Sequence, residues 1–294
     1  MRATLIHNAK AGDGSMDPDV LRDLLTHHGY EVDYRSSKDP DLATAVQCAR
    51  GLLIAAGGDG TVSKVLKLST PQSPPIAILP LGTANNIATS LGIKGTCSTL
   101  VEGWKDAKHT PFDIGSATSS DGKRHLIEGM GIGAIAAAMR AMDEIEGPAK
   151  KQLKRARQAI IDSIETAKVR EIEFTIDGKR RAVEALFLEI SNIRYIGPNL
   201  NLVPTALSGD GRFELIYAKP AQRENLVEWL RRGNHHELPP VYCLNGETVT
   251  VHTASKWMRI DDDLDVSSEA LPMTVHIEKG ARQILVPDHA RAAA

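Results

Sequence analysis

Residues 52–66 read LLIAAGGDGTVSKVL. A run that is apolar at every position, residues 52–56, is followed by three glycines, one acid and one hydroxyl in five residues, and then by a helix-like pattern. An apolar run without alternation has no solvent face, so it reads as a strand buried on both sides, as in a parallel sheet. Gly57, Gly58 and Gly60 after it permit positive φ and let backbone amides approach a ligand without interference from a Cβ. The helix that follows turns its free N–H groups and the positive end of its dipole toward the same place. That geometry suits a phosphate. Thr61 can cap the helix or donate to a phosphate oxygen. Asp59 would repel a bare phosphate and is better matched to a magnesium ion, a ribose or a substrate hydroxyl. The plain alternative is a tight strand-to-helix turn in which Asp59 serves as a local turn acid.

The segments around this bend repeat its architecture. Residues 3–8 read as a strand entering a polar, glycine-containing loop, and residues 17–29 as a helix with Val20, Leu21, Leu24 and Leu25 on one face and Gly29 as its stop. A second strand, a second helix, the buried run and a fourth strand at residues 74–80 follow. Strands alternating with helices in this way give an open, mainly parallel sheet. The fourth strand ends at Pro80 in a second bend with Gly82 and Thr83, before a helix beginning near Asn85 and Asn86. Two such loops at the same ends of parallel strands converge on one crevice, where open α/β sheets bind ligands. Neither the GxGxxG nor the GxxxxGK[ST] pattern occurs at these bends.

From about residue 113 the pattern becomes period-two alternation broken by glycine and polar turns, interrupted by one long helical tract at residues 149–169. At 294 residues, two domains are expected. The first is an α/β nucleotide-binding domain over residues 1–114. The second is a β-rich domain, an antiparallel sandwich, over residues 115–286, with residues 287–294 returning to the first. A net charge of -2 and 4% aromatic residues do not advertise a nucleic-acid partner. Cys48, Cys97 and Cys243 are odd in number and far apart, and read as reduced packing residues of a cytoplasmic protein. No stretch approaches the roughly 18 apolar residues of a membrane span, so any membrane contact is peripheral. In the long tract, Lys150, Lys151, Lys154, Arg155 and Arg157 accompany Leu153, Ala156, Ile160 and Ile164 at helical spacing. This is a core-facing helix with a solvated basic side, or one that rests on anionic headgroups. The pairs His27/His28 and His235/His236 read as surface residues, and Trp104, Trp229 and Trp257 as core fillers.

GGDGT at residues 57–61, followed by PLGTANN at residues 80–86, resembles the diacylglycerol kinase catalytic-domain family, which includes bacterial lipid kinases, sphingosine kinases and ceramide kinases. NAKAG, from Asn8 to Gly12, resembles the family's first loop with Ala9 in place of proline, and Ser37 stands where the family often has a phosphate-contacting threonine. EGMGIGA at residues 128–134 is similar to the segment opening the family's second domain. Further on, SGDG at residues 208–211 matches a D-D-G motif with Gly209 in place of the first acid, leaving Asp210. In IDDDLDV at residues 260–266, Asp261 and Asp263 fall on the acids of a D-G-E motif, with Asp262 replacing the glycine.

The resemblance implies a kinase that transfers the γ-phosphate of ATP to the hydroxyl of a lipid such as diacylglycerol, a sphingoid base or ceramide. It implies nucleotide contacts from Asn8, Gly12, Ser37, Gly57, Gly58, Gly60, Thr61, Gly82, Thr83 and Asn86, and Mg2+ organised by Asp59 and Asp210. Asp261 would be the general base, with Asp59 as its companion in catalysis. Apart from that match, residues 261–265 are a solvated acidic turn. The expected setting is cytoplasmic with peripheral membrane contact, and the resemblance leaves room for a homodimer. An NAD kinase or sugar kinase, which also use a GGDG bend, and a nucleotide- or lipid-binding module without turnover are the competing readings.

Overall fold

The unbroken apolar run at residues 52–56 is a strand in which every residue is buried, and the elements before and after it build a sheet around it. The computed structural model describes residues 1–12, 14, 16–142, 149–233, 237–253, 258–264 and 271–288. It divides into two units, Met1–Asp113 with Gly280–Ala294, and Ile114–Lys279. His235, His236, Trp257, Asp265 and the side chain of Lys150 lie outside the described residues.

The first unit runs β1 (Arg2–His7), α1 (Pro18–His27), β2 (Glu31–Ser36), α2 (Leu42–Gln47), β3 (Leu52–Gly57), α3 (Asp59–Leu68), β4 (Ile76–Pro80), α4 (Asn86–Ser90) and α5 (Cys97–Gly103). β1 pairs in parallel with β2 on one side and β3 on the other, and β3 pairs in parallel with β4. The start of α1 follows from its sequence: Asp17 accepts the N–H of Asp19, and Pro18 needs no N–H in the first turn. Gly29 lies just past its end at φ +83°, a conformation that glycine adopts without strain. Leu21 and Leu25 of α1 are fully buried, whereas Val20, expected on the same face, is 56% exposed. One residue advances a helix by about 100°, which carries Val20 off the stripe that Leu21 and Leu25 share.

The chain leaves this unit inside β5 (Lys108–Ser119) and re-enters it inside β15 (Met273–Val286). The division falls between Asp113 and Ile114, within a continuous strand. The return begins at Gly280, earlier than 287, because Ile284 of β15 pairs in parallel with Ile76 and thereby adds a strand to the first sheet. Gly280 donates its N–H to the buried Asp113 carboxylate at 2.6 Å. Arg282, 8% exposed, donates from Nε to Ser69 Oγ at 2.6 Å and to the Leu66 carbonyl at 3.3 Å, and also reaches the Ser69 carbonyl. It therefore caps carbonyls at the end of α3.

The second unit contains β6 (Gly122–Leu126), β7 (Gly129–Gly133), α6 (Ala134–Met142), α7 (Ala149–Thr166), β8 (Arg170–Ile176), β9 (Lys179–Ala185), β10 (Phe187–Ser191), β11 (Phe213–Ala218), α8 (Arg223–Arg232), β12 (Tyr242–Gly246), β13 (Thr248–Val251) and β14 (Met258–Ile260). Five strands form an antiparallel sheet in the order β12-β11-β10-β7-β14. β8 pairs antiparallel with β9 and β13, and β13 with the first part of β15. Phe174, Val249 and Val275 from that group pack with Met130, Leu188 and Phe213 of the five-stranded sheet in one apolar core. Phe187, Ile216 and Ala218, which alternate to the opposite face, pack against Ile160, Ile161 and Ile164 of α7 and Leu226 of α8. α7 is thus a core helix, with Lys151, Lys154 and Arg155 exposed on its other side. Trp104 and Trp229 are buried. Cys48 and Cys243 are exposed free thiols, so neither is the packing residue expected from the sequence.

Candidate functional site

At the carboxyl ends of the parallel strands the hydrogen-bond register continues into the loops. Asn8 donates its N–H to Ala56, Ser37 to His7, and Leu81 to Gly57, at 2.8 to 2.9 Å. Three loops are thereby drawn together, and glycine is required where they touch. Gly12 lies at φ +62°, and a Cβ there would sit 2.3 Å from the Leu81 carbonyl oxygen. A Cβ on Gly82 would sit 2.3 Å from the Gly58 Cα. The second bend holds itself: Asn85, at φ +52°, accepts the Gly82 N–H and returns a bond to the Gly82 carbonyl. Asp59 ties the two bends together through its Oδ1, which accepts the backbone N–H of Ile87 at 2.9 Å in the first turn of α4.

These loops enclose an open cleft of about 400 Å³ lined by Asn8, Ala11, Gly12, Ser37, Lys38, Gly58, Gly60, Thr61, Lys64 and Gly82. Of the residues expected to contact nucleotide, Asn8, Gly12, Ser37, Gly58, Gly60, Thr61 and Gly82 line it. Gly57 lies beneath Thr61, whose Oγ1 would be 2.4 Å from a Cβ at Gly57. Thr83 and Asn86 belong to the second bend and are not among the lining residues, Asn86 being buried. Sequence reasoning missed Lys38 and Lys64. On sequence alone Lys64 reads as one more solvated position of an amphipathic helix.

Asp210 and Asp261 belong to the second unit. Asp210 Oδ1 accepts the N–H of Arg212 at 2.9 Å, closing the turn before β11. On that strand Glu214 is pushed up to about 7 by burial and by the neighbouring Asp210, against the opposing pull of Arg212.

Asp261 is 3% exposed and sits at φ +51° in a two-residue turn between Ile260 and Asp263. Its Oδ1 accepts from the backbone N–H groups of Ile127, Glu128 and Gly129 at 2.8 to 3.2 Å, and Oδ2 also accepts from Ile127 at 3.1 Å. Asp262 can replace glycine here because the left-handed residue of the turn is Asp261. Asp263 pairs with Arg124 at 2.5 Å on the surface.

A buried ion pair supports this turn from below. Glu189 of β10 faces Gly131 of β7, which faces Arg259 of β14, so the three lie in one row across the sheet. Glu189 Oε2 and Arg259 Nη2 are 2.6 Å apart, and Nη1 donates to the Asp261 carbonyl at 3.1 Å. A Cβ at Gly131 would lie 2.1 Å from Glu189 Oε1, so glycine leaves the space the pair occupies. Burial raises the Glu189 pKa, and the Arg259 charge opposes that rise. EGMGIGA marks the glycines, but no local signal names Glu189 or Arg259 as the partners above Gly131.

Magnesium finds no ready cage. The Oδ1 atoms of Asp59 and Asp210 are committed to backbone N–H groups, and among the described residues no cluster of three or more His, Cys, Asp or Glu could hold a metal. Magnesium bound with ATP takes most of its ligands from phosphates and water and needs only one or two carboxylates from the protein.

Comparison with known proteins follows the same division. Residues 2–117 match the model of the diacylglycerol kinase catalytic domain, and residues 129–286 match that of the YegS C-terminal NAD kinase beta sandwich-like domain. Diacylglycerol kinase of Mycobacterium tuberculosis (strain CDC 1551 / Oshkosh) is 27% identical over 263 residues, 84% of this chain and 81% of that protein. The Bacillus subtilis (strain 168) diacylglycerol kinase is 26% identical over 277 residues, 87% of each. A crystal structure of a diacylglycerol kinase from Bacillus anthracis str. Sterne shares the fold with a TM-score of 0.72 at 18% identity, covering 98% of each chain. With two family models spanning most of its length, and relatives of that name aligned over more than four fifths of it, the chain belongs to the diacylglycerol kinase family.

Proposed function

We propose that the protein transfers the γ-phosphate of ATP to the hydroxyl of a lipid alcohol of the diacylglycerol, sphingoid-base or ceramide type. The observation that carries this reading is the cleft in which Gly58, Gly60, Thr61 and Gly82 are brought together at the ends of β3 and β4. Amide-rich, glycine-lined bends at a helix start accommodate phosphates, and phosphoryl transfer depends chiefly on positioning and on charge stabilisation. Magnesium belongs to this proposal as the counter-ion that accompanies ATP, with Asp59 and Asp210 as its proposed protein ligands.

An alcohol needs a base to lose its proton during attack. Asp261 is the proposed base, on the strength of its match to the family's motif, and the lipid is assigned to the second unit, to which Asp261 belongs. Peripheral membrane contact is part of the same proposal, since a lipid acceptor resides in a bilayer and no helix among the described residues is long and apolar enough to cross one. The exposed Lys151 and Lys154 of α7 are its candidates for contact with anionic headgroups.

The test is incubation with labelled ATP, magnesium and a panel of lipid alcohols presented in anionic vesicles, with NAD and sugars in parallel. Label in one lipid class supports the reading and names the acceptor. Label confined to NAD or a sugar replaces the lipid kinase with one of those kinases, and nucleotide binding without transfer to any acceptor replaces it with a binding module.

A further inference from the structure

We infer that Lys64, with Lys38 beside it, is the charge-neutralising element of the cleft, and that it engages the phosphate chain of a nucleoside triphosphate. This inference rests on the reading of the cleft as a nucleotide site and adds a binding residue to it.

Residues three and four apart share a face of a helix, and helical side chains lean toward the helix start. Lys64 therefore projects over Gly60 and Thr61, both of which line the cleft. Its neighbours Val62, Ser63, Val65 and Leu66 are buried, whereas Lys64 is exposed and reaches the cleft with its charge solvated.

The ammonium group is held in place. Lys64 Nζ donates to the Ser37 carbonyl at 2.8 Å, and Ser37 is itself fixed by its N–H bond to the His7 carbonyl at 2.8 Å. An ammonium has three donors, so this tether leaves two for a ligand. A backbone carbonyl also leaves the positive charge unneutralised, which a carboxylate partner would not.

Among the described residues the cleft is lined by two lysines and by no acid, and the nearby Asp59 gives its Oδ1 to the Ile87 N–H. Positive side chains converge on a bend rich in backbone amides, at the positive end of α3, and the ligand class that answers this chemistry is a polyanion of phosphate groups.

The test measures binding of ATP and of inorganic tripolyphosphate by calorimetry, for the parent, Lys64→Met, Lys64→Arg and Lys105→Met. Lys105 is an exposed lysine of the same unit outside the cleft and controls for the loss of one positive charge. Lys64→Met is expected to weaken both ligands about tenfold, in line with loss of one charge-assisted contact. Lys64→Arg should remain within about threefold of the parent and Lys105→Met within about twofold, and added salt should shrink the difference between parent and Lys64→Met.

Unchanged tripolyphosphate affinity in Lys64→Met, an equal loss in Lys105→Met, or no affinity in the parent overturns the inference. Tripolyphosphate binding that depends on Lys64, in a protein that labels no lipid, leaves the inference standing and removes the lipid-kinase reading. Lipid phosphorylation with an ATP KM unaffected by Lys64→Met does the reverse.

Discussion

Asp59 Oδ1 accepts the backbone N–H of Ile87 at 2.9 Å, so a side chain of the first glycine bend closes the helix that follows the second. The two motifs are thus joined by this carboxylate oxygen as well as by the Leu81 N–H bond to the Gly57 carbonyl. Asp59→Ala is expected to destabilise the protein by about 1 kcal/mol, the usual effect of losing a helix cap, and to lower ATP affinity as the second bend loosens. Asp59→Asn keeps an acceptor oxygen in the same place and should keep both. Urea denaturation and calorimetric titration of the two variants check this, and equal losses in both would mean that the negative charge matters more than the closure.

The contact between Gly58 and Gly82 makes an ordered pair of predictions. A Cβ at Gly82 would lie 2.3 Å from Gly58 Cα, whereas a Cβ at Gly58 would lie 3.1 Å from Gly82 Cα. Gly82→Ala should therefore destabilise by about 1–3 kcal/mol, as overpacking does, and Gly58→Ala by less. Because the clash at 82 is with the other bend, ATP affinity should fall as the loops part and not through direct collision with phosphate. Thermal denaturation of both variants reads the order, and its reversal would refute the contact.

For Asp261, substitution separates holding a turn from taking a proton. Asp261→Asn places an NH2 group among N–H donors from Ile127, Glu128 and Gly129, and a loss of about 1–3 kcal/mol is expected from the unmatched groups. Asp262→Asn, in the same turn, should change stability by no more than about 0.5 kcal/mol. If Asp261 also serves as base, turnover of the still-folded Asn variant falls by about 10² to 10⁴. Single-turnover kinetics well below the Tm decide it, and activity that tracks only the folded fraction would confine Asp261 to the turn.

Glu214 predicts a pH dependence. Burial and Asp210 raise its carboxyl from 4.5 to about 7 in the folded protein, so between these values the folded state binds more proton than the unfolded chain. Stability from this group is complete below about pH 4.5 and is lost as pH rises toward 7. Glu214→Gln should flatten that part of the profile and leave the variant more stable than the parent at pH 8. Urea midpoints from pH 4.5 to 8 are the measurement, and parallel profiles for parent and variant would remove Glu214 as the cause.

The sequence makes the glycine bends legible because a buried apolar run, clustered glycines and a helix start leave few alternatives at residues 52–66. It also discloses the order of strand and helix in the first unit and the antiparallel character of the second. The domain crossing is harder to read: Asp113 and Ile114 lie within one strand, with no change of composition to mark a linker. Lys64 is hidden for a related reason, since only the tertiary placement of Ser37 reveals its ammonium at the cleft. Glu189 and Arg259 are 70 residues apart in the chain. Their pairing across Gly131 becomes visible once strand register is known.

The return of the chain through Arg282 bears on how this molecule can be made. The first unit starts its sheet with β1, yet the strand containing Ile284 and the guanidinium that seals α3 are synthesised after the whole inserted unit. A ribosome that has released residues 1–113 has therefore released an unfinished sheet, exposing an edge at β4 for as long as translation of the insertion takes. No single cut yields two intact domains. Expression of the first unit by itself calls for a short linker from Asp113 to Gly280, whose hydrogen bond already brings those residues together.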